Sequence, residues 1–216
     1  MHKAVMCIVK ADDAEEAKDL VDTFLEDYGE GKVWDWNVVG GRFSGMLNPL
    51  SEKFRKAANK FLVGKYNLDP KTPFISNKHV EESADDLKAL WEKIGGKGKN
   101  PYARDSYTHH AGEDDVLPLS ECASVVKSWR RDLIKEANKA FRQLCIERKK
   151  EREARKKGEK YTGTMSGYHA GLYKEAVYDE FSFDSNTFDI DAGTNDPTEA
   201  LANPEGRWVV LIDMHN

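Results

Sequence analysis

The sequence predicts an α+β protein: a mixed or antiparallel sheet with helices on one face and a large helical insertion. Three observations carry that prediction. Short, β-leaning apolar runs stand at the two ends, AVMCIV at residues 4–9 and RWVVLIDMH at 207–215. Between them apolar residues recur at steps of three and four, the helical period. Residues 33–47 and 175–183 read as further strands. At 216 residues the chain fits one domain, 1–216, with room for a real core.

Ala4 to Val9 is unbroken by polar residues, as expected of a central strand buried on both faces. Asp12 and Asp13 place acids at the start of the next helix, where the helix dipole favours them. Leu20, Val21, Phe24 and Leu25 form its apolar side, and Gly29 and Gly31 end it. Residues 33–47 read as strand, turn, strand. Ser51 opens a second helix to about Val63, with Phe54, Ala57, Ala58, Phe61 and Leu62 on one face. Asn67 to Lys78 reads as a loop around Pro70 and Pro73. Ser83 opens a third helix, striped by Leu87, Leu90, Trp91 and Ile94 and ended at Gly95.

Residues 95–115 lack periodicity and read as a long loop of the kind that is often functional. A long helix follows over about 120–158, projecting from the domain. Val126, Trp129, Leu133, Ala137, Ala140 and Leu144 give it a near-heptad stripe. The stripe stops there, and Glu147 to Lys160 carries eight basic and four acidic residues. Such alternation suits a solvated helix face or a docking arm. The helical insertion thus spans about 50–160. Residues 184–206 read as acidic and turn-rich. The opening order of strand, helix, strand makes a ferredoxin-like arrangement the nearest frame.

A hydrophobic fraction of 39%, a charged fraction of 33% and a net charge of −5 disfavour a dedicated nucleic-acid binder. No apolar run approaches the ~20 residues of a membrane span, and the N-terminal apolar run is too short for a signal peptide. Cys7, Cys122 and Cys145 are odd in number and have no Cys-x-x-Cys spacing. They read as reduced thiols of a cytoplasmic protein.

One segment invites a functional reading, WDWNVVGGRFSGML at 34–47. As a hairpin, Gly40 and Gly41 supply the turn, while Trp34 and Trp36 pack across strands and Arg42 pairs with Asp35 at the surface. As a ligand loop, the glycines let backbone N–H groups approach an anion. Arg42 then adds charge, and an indole stacks on a ring. The segment is neither a Walker loop nor a Rossmann fingerprint.

The pattern W-D-W-x-x-x-G-G-R-[FW]-x-G resembles a motif of small, uncharacterised bacteriophage and bacterial proteins. Those proteins often end in a strand closing on Asp-x-His, as WVVLIDMH does here. Phe43 stands where tryptophan is usual. The likeness covers about fifty residues at the two ends and implies a phage origin, hence a bacterial host cytoplasm, and no known activity. If both ends join one sheet, Asp213 and His215 share a face and lie near Arg42, a plausible anion or metal-assisted site.

Other candidates are weaker. His109, His110, Glu113, Asp114 and Asp115 have ligand chemistry, but they sit on a polar loop where adjacent side chains diverge, so no metal is expected. Tyr161, Tyr168 and Tyr173 lie among glycines, either as a ring-stacking loop or as a hinge; Tyr168 joins the ligand set. No catalytic motif is present.

Three functions stay open. The first is a non-catalytic binding protein, phage-derived and acting against host defence. Its partner is a host protein, or it sequesters a small anionic, nucleotide-like ligand. Its site is Trp34, Asp35, Trp36, Gly40, Gly41, Arg42, Tyr168, Asp213 and His215. The second is an enzyme on a nucleotide or phosphoester through Arg42, Asp213 and His215. The third is an oligomer, such as a homodimer, built on the long helix. No cofactor is assigned, and neither a nucleic acid nor a membrane is an expected partner.

Overall fold

The computed structural model describes residues 2–28, 36–71, 73–97, 100, 115–160 and 187–215. The expected strand at 175–183 lies outside them. The elements run β1 (His2–Lys10), α1 (Ala14–Tyr28), β2 (Trp36–Val39), α2 (Ser51–Lys65), α3 (Asn77–Glu81) and α4 (Ala84–Lys93). Then come β3 (Val116–Pro118), α5 (Leu119–Lys156), β4 (Thr187–Asp189), α6 (Thr198–Ala202) and β5 (Arg207–His215).

The two apolar ends meet at the sheet centre. β1 and β5 pair antiparallel over their whole length, from His2 opposite His215 to Lys10 opposite Arg207. β4 joins the far side of β1 in parallel. β2 and β3 share the other side of β5, both antiparallel to it, with β2 against residues 212–215 and β3 against 208–210. The sheet order is β2–β5–β1–β4, so the sheet is mixed. β1, α1 and β2 form a split β-α-β unit, two strands of one direction with antiparallel β5 between them. That half matches the ferredoxin-like frame. The outer neighbour of β1 departs from it, since β4 runs parallel where that frame has an antiparallel strand.

The helices cover both faces of the sheet, which corrects the expected one-faced arrangement. Val5, Cys7 and Val9 face Ala17, Val21 and Leu25 of α1, with Val210, Ile212 and Met214 beside them. Met6 and Ile8 face the other way, onto Leu47, onto Leu119, Cys122 and Val126 of α5, and onto Ala200 of α6. The physical reason is the period of two. A strand apolar at every position needs cover on both sides, because each exposed Leu, Ile or Val forfeits roughly 1.5–3 kcal/mol of burial. Helices α2 and α4 hold a core of their own, in which Phe54, Ala58 and Leu62 meet Leu87 and Trp91.

Three further expectations change. The 33–47 segment gives one strand, β2, and no hairpin; beyond Val39 the chain turns through a short 3-10 segment, Gly41–Phe43. The 67–78 loop ends in α3, which Ser76 caps by accepting from the His79 N–H. The insertion contains a strand, β3, and the 184–206 stretch contains β4 and α6. These pieces are three to five residues long, too short to show a period. The long helix is as expected. It buries Val126, Leu133, Ala137, Ala140 and Leu144, and after Leu144 no position is buried. Among the described residues no helix is long and apolar enough to cross a membrane.

Candidate functional site

Gly40 and Gly41 turn the chain sharply off the end of β2. Both have positive φ, +73° and +48°, a region open to glycine at little cost. Space demands glycine as well. A Cβ on Gly40 would lie 2.1 Å from the Asp115 carboxylate, and one on Gly41 2.6 Å from Asp213. Two carboxylates from distant parts of the chain therefore press against the turn from inside.

Each carboxylate binds it. The Arg42 N–H donates to Asp213 Oδ2 at 2.9 Å. The Gly45 N–H donates to Asp115 Oδ1 at 2.7 Å, and the Ser44 hydroxyl donates to Asp115 Oδ2 at 2.6 Å. Three more N–H groups of the turn close on backbone: Gly40 onto Leu211 O at 2.7 Å, Phe43 onto Gly40 O at 2.9 Å, Ser44 onto Gly41 O at 3.3 Å. The Ser51 hydroxyl donates to the Gly45 carbonyl and ties the turn to α2. Asp115 is fully buried and Asp213 is 1% exposed. Such charge-assisted bonds are about twice as strong as neutral ones, and the buried setting keeps water from competing.

This geometry corrects one part of the ligand-loop expectation. The turn does cradle anions with its backbone, but the anions are the protein's own Asp115 and Asp213. Those N–H groups are spent inward. What faces outward is side-chain chemistry. Arg42 is exposed. Beside its anchor, the Trp36 indole stacks on the His215 imidazole, ring centroids 5.3 Å apart and planes 6° from parallel. Both rings are half-buried. Trp36 and His215 are register partners across β2 and β5, as are Val38 and Asp213, so all four share one face.

The structure thus brings together Trp36, Gly40, Gly41, Arg42, Asp213 and His215. The chain's two ends meet because β5 inserts between β1 and β2. Trp34, Asp35 and Tyr168 lie outside the described residues, as do Tyr161, Tyr173, His109, His110, Glu113 and Asp114. Asp115 is the residue whose role the sequence hid. It stands at the end of a polar run, and only the pairing of β3 with β5 carries it to Gly45. Its one sequence signal is its place directly before the apolar VLPL.

Among the described residues no group of three or more histidine, cysteine, aspartate or glutamate side chains is placed to hold a metal ion. The thiols of Cys7 and Cys122 are buried, and burial pushes each up to about 12. Such thiols stay protonated and inert near neutral pH. Compared with known proteins, the chain matches no family model, no curated protein and no solved structure.

Proposed function

We propose that this chain is a non-catalytic binding protein for a small anionic ligand that carries a ring, of nucleotide type. One observation carries the reading: two buried carboxylates fix the Gly40–Gly45 turn, so that exposed Arg42 is anchored through its backbone N–H to Asp213, which shares a sheet face with the stacked Trp36 and His215. A guanidinium supplies charge and a forked donor for phosphate or carboxylate. The stacked rings supply a flat apolar surface for a base. Pre-fixing the loop lowers the ordering cost of binding. The phage setting implied by the W-D-W motif makes sequestration of a host small molecule the fitting biological role.

The enzyme reading asks Asp213 to act on substrate. In this fold Asp213 is buried and engaged with the Arg42 N–H, which suits a positioning role. Native against denaturing mass spectrometry of protein purified from bacterial cells tests the proposal. The expected result is extra mass, in the range of a nucleotide, that disappears on denaturation and is missing from Arg42→Ala. A bare chain mass, with no shift on adding nucleoside mono-, di- or triphosphates, would contradict it.

A further inference from the structure

Two helices carry opposite charge on faces that one copy cannot bring together. α5 holds twelve lysines and arginines against six acids, in a chain of net charge −5. Its cations are arranged. Lys135, Arg142, Lys149 and Lys156 recur every seven residues, and Lys127, Arg131 and Arg152 fall on the same side. All of these are exposed, and Glu153 is the acid among them. Ile134 and Phe141 flank the stripe on one side, 41% and 39% exposed. Asp132, Glu136 and Glu147 fall on another side.

α1 carries the reverse. Its acids are Glu15, Glu16, Asp19, Asp22, Glu26 and Asp27, all exposed, and Lys18 is its one base. Glu15, Asp19, Asp22 and Glu26 follow steps of four and three, one stripe about 16 Å long at ~1.5 Å per residue. Lys135 to Lys149 spans about 21 Å on the same rise. Leu20, 40% exposed, sits beside Glu16 and Asp27 and offers an apolar contact. α1 packs on the sheet face of Val5 and Cys7, and α5 on the face of Met6 and Ile8. The sheet stands between the two stripes within one copy.

We propose that α5 of one copy docks on α1 of a second copy, Ile134 and Phe141 against Leu20 and the lysine and arginine column against the acidic stripe. The two surfaces differ, so the contact is heterologous and copies add head to tail. It is charge-driven, so salt weakens it.

Sedimentation velocity of the nuclease-treated full chain tests this. At low salt the average mass rises with concentration, and in ~0.5–1 M salt it returns to that of one chain. Two neutralised variants then identify the surfaces, one with Glu15→Gln, Asp19→Asn and Glu26→Gln, the other with Lys135→Gln, Arg142→Gln and Lys149→Gln. Each alone is a monomer with unchanged helix content. Mixed, they form a dimer that grows no further, since each supplies the surface that the other lacks. A wild type that stays monomeric at low salt overturns the proposal, and so does a mixture that fails to dimerise. Association that vanishes on nuclease treatment would assign the α5 stripe to nucleic acid instead.

Discussion

The Gly40–Gly45 turn and the distal half of α5 are both at the surface, and they are held by opposite means. The turn has almost no regular structure. It is fixed by side chains from 70 and 171 residues away, Asp115 onto Gly45 and Asp213 onto Arg42. Distal α5 is wholly regular. Beyond Leu144 it is held by its own i→i−4 bonds and by local contacts such as Gln143 with Glu147. Secondary structure therefore misleads as a guide to rigidity here. Long-range bonds to buried charges make a loop stiff, and their absence leaves a helix free to fray.

The sharpest way to break that contrast is to unseat the turn. Gly41→Ala puts a Cβ where Asp213 stands and forces a left-handed φ on alanine. It is expected to cost about 2–4 kcal/mol, a fall of roughly 5–15 °C in Tm by thermal melt. Asp213→Ala removes the acceptor and leaves the Arg42 N–H without it; a loss of about 1–3 kcal/mol is expected, with Asp213→Asn milder because an acceptor remains. Arg152→Pro in distal α5 is the counterpart. It should trim the helical circular dichroism while shifting Tm by less than about 2 °C, because the break falls outside the cooperative core. Arg42→Ala should change stability by no more than about 0.5 kcal/mol, its side chain being exposed, and yet abolish ligand retention.

The cysteines sharpen the same contrast more gently. Cys7 and Cys122 are buried, whereas Cys145 is exposed on α5. Native protein should alkylate once at mildly alkaline pH, at Cys145. The buried thiols hold folded values near 12, against an ordinary 9.0. Desolvation of the thiolate is the main cause, and Asp22 adds to it for Cys7. Their contribution to stability is complete below about pH 9. It is lost progressively as the pH rises towards 12, because only the unfolded chain ionises there. Alkaline titration followed by circular dichroism measures it, and Cys7→Ala should flatten part of the slope.

Much of this was legible in the chain. The end strands announce themselves by composition, and β5 begins and ends where RWVVLIDMH does. The helices α1, α2, α4 and α5 follow from their apolar period to within about two residues. What escaped was short or long-range. β3 and β4 have three residues each, and their identity depends on finding β5 and β1. The two faces of the sheet were implicit in the unbroken apolar run of β1, though the helices alone do not say which side each takes. The Gly-Gly-Arg segment stands out in the sequence, and both of its glycines take positive φ. Its own carboxylates could not be foreseen, because Asp115 reads as one more acid in a polar loop until β3 pairs.

The contrast between the two regions rests on one claim: Asp115 and Asp213 lock the Gly40–Gly45 turn. Amide hydrogen exchange measures it directly. The Arg42 and Gly45 amides should exchange within about tenfold of the β5 core amides, while amides of residues 148–156 exchange at least about a hundredfold faster. Asp213→Asn should speed Arg42 selectively. Arg42 and Gly45 amides exchanging as fast as those of distal α5 would show the turn to be unlocked and contradict the claim.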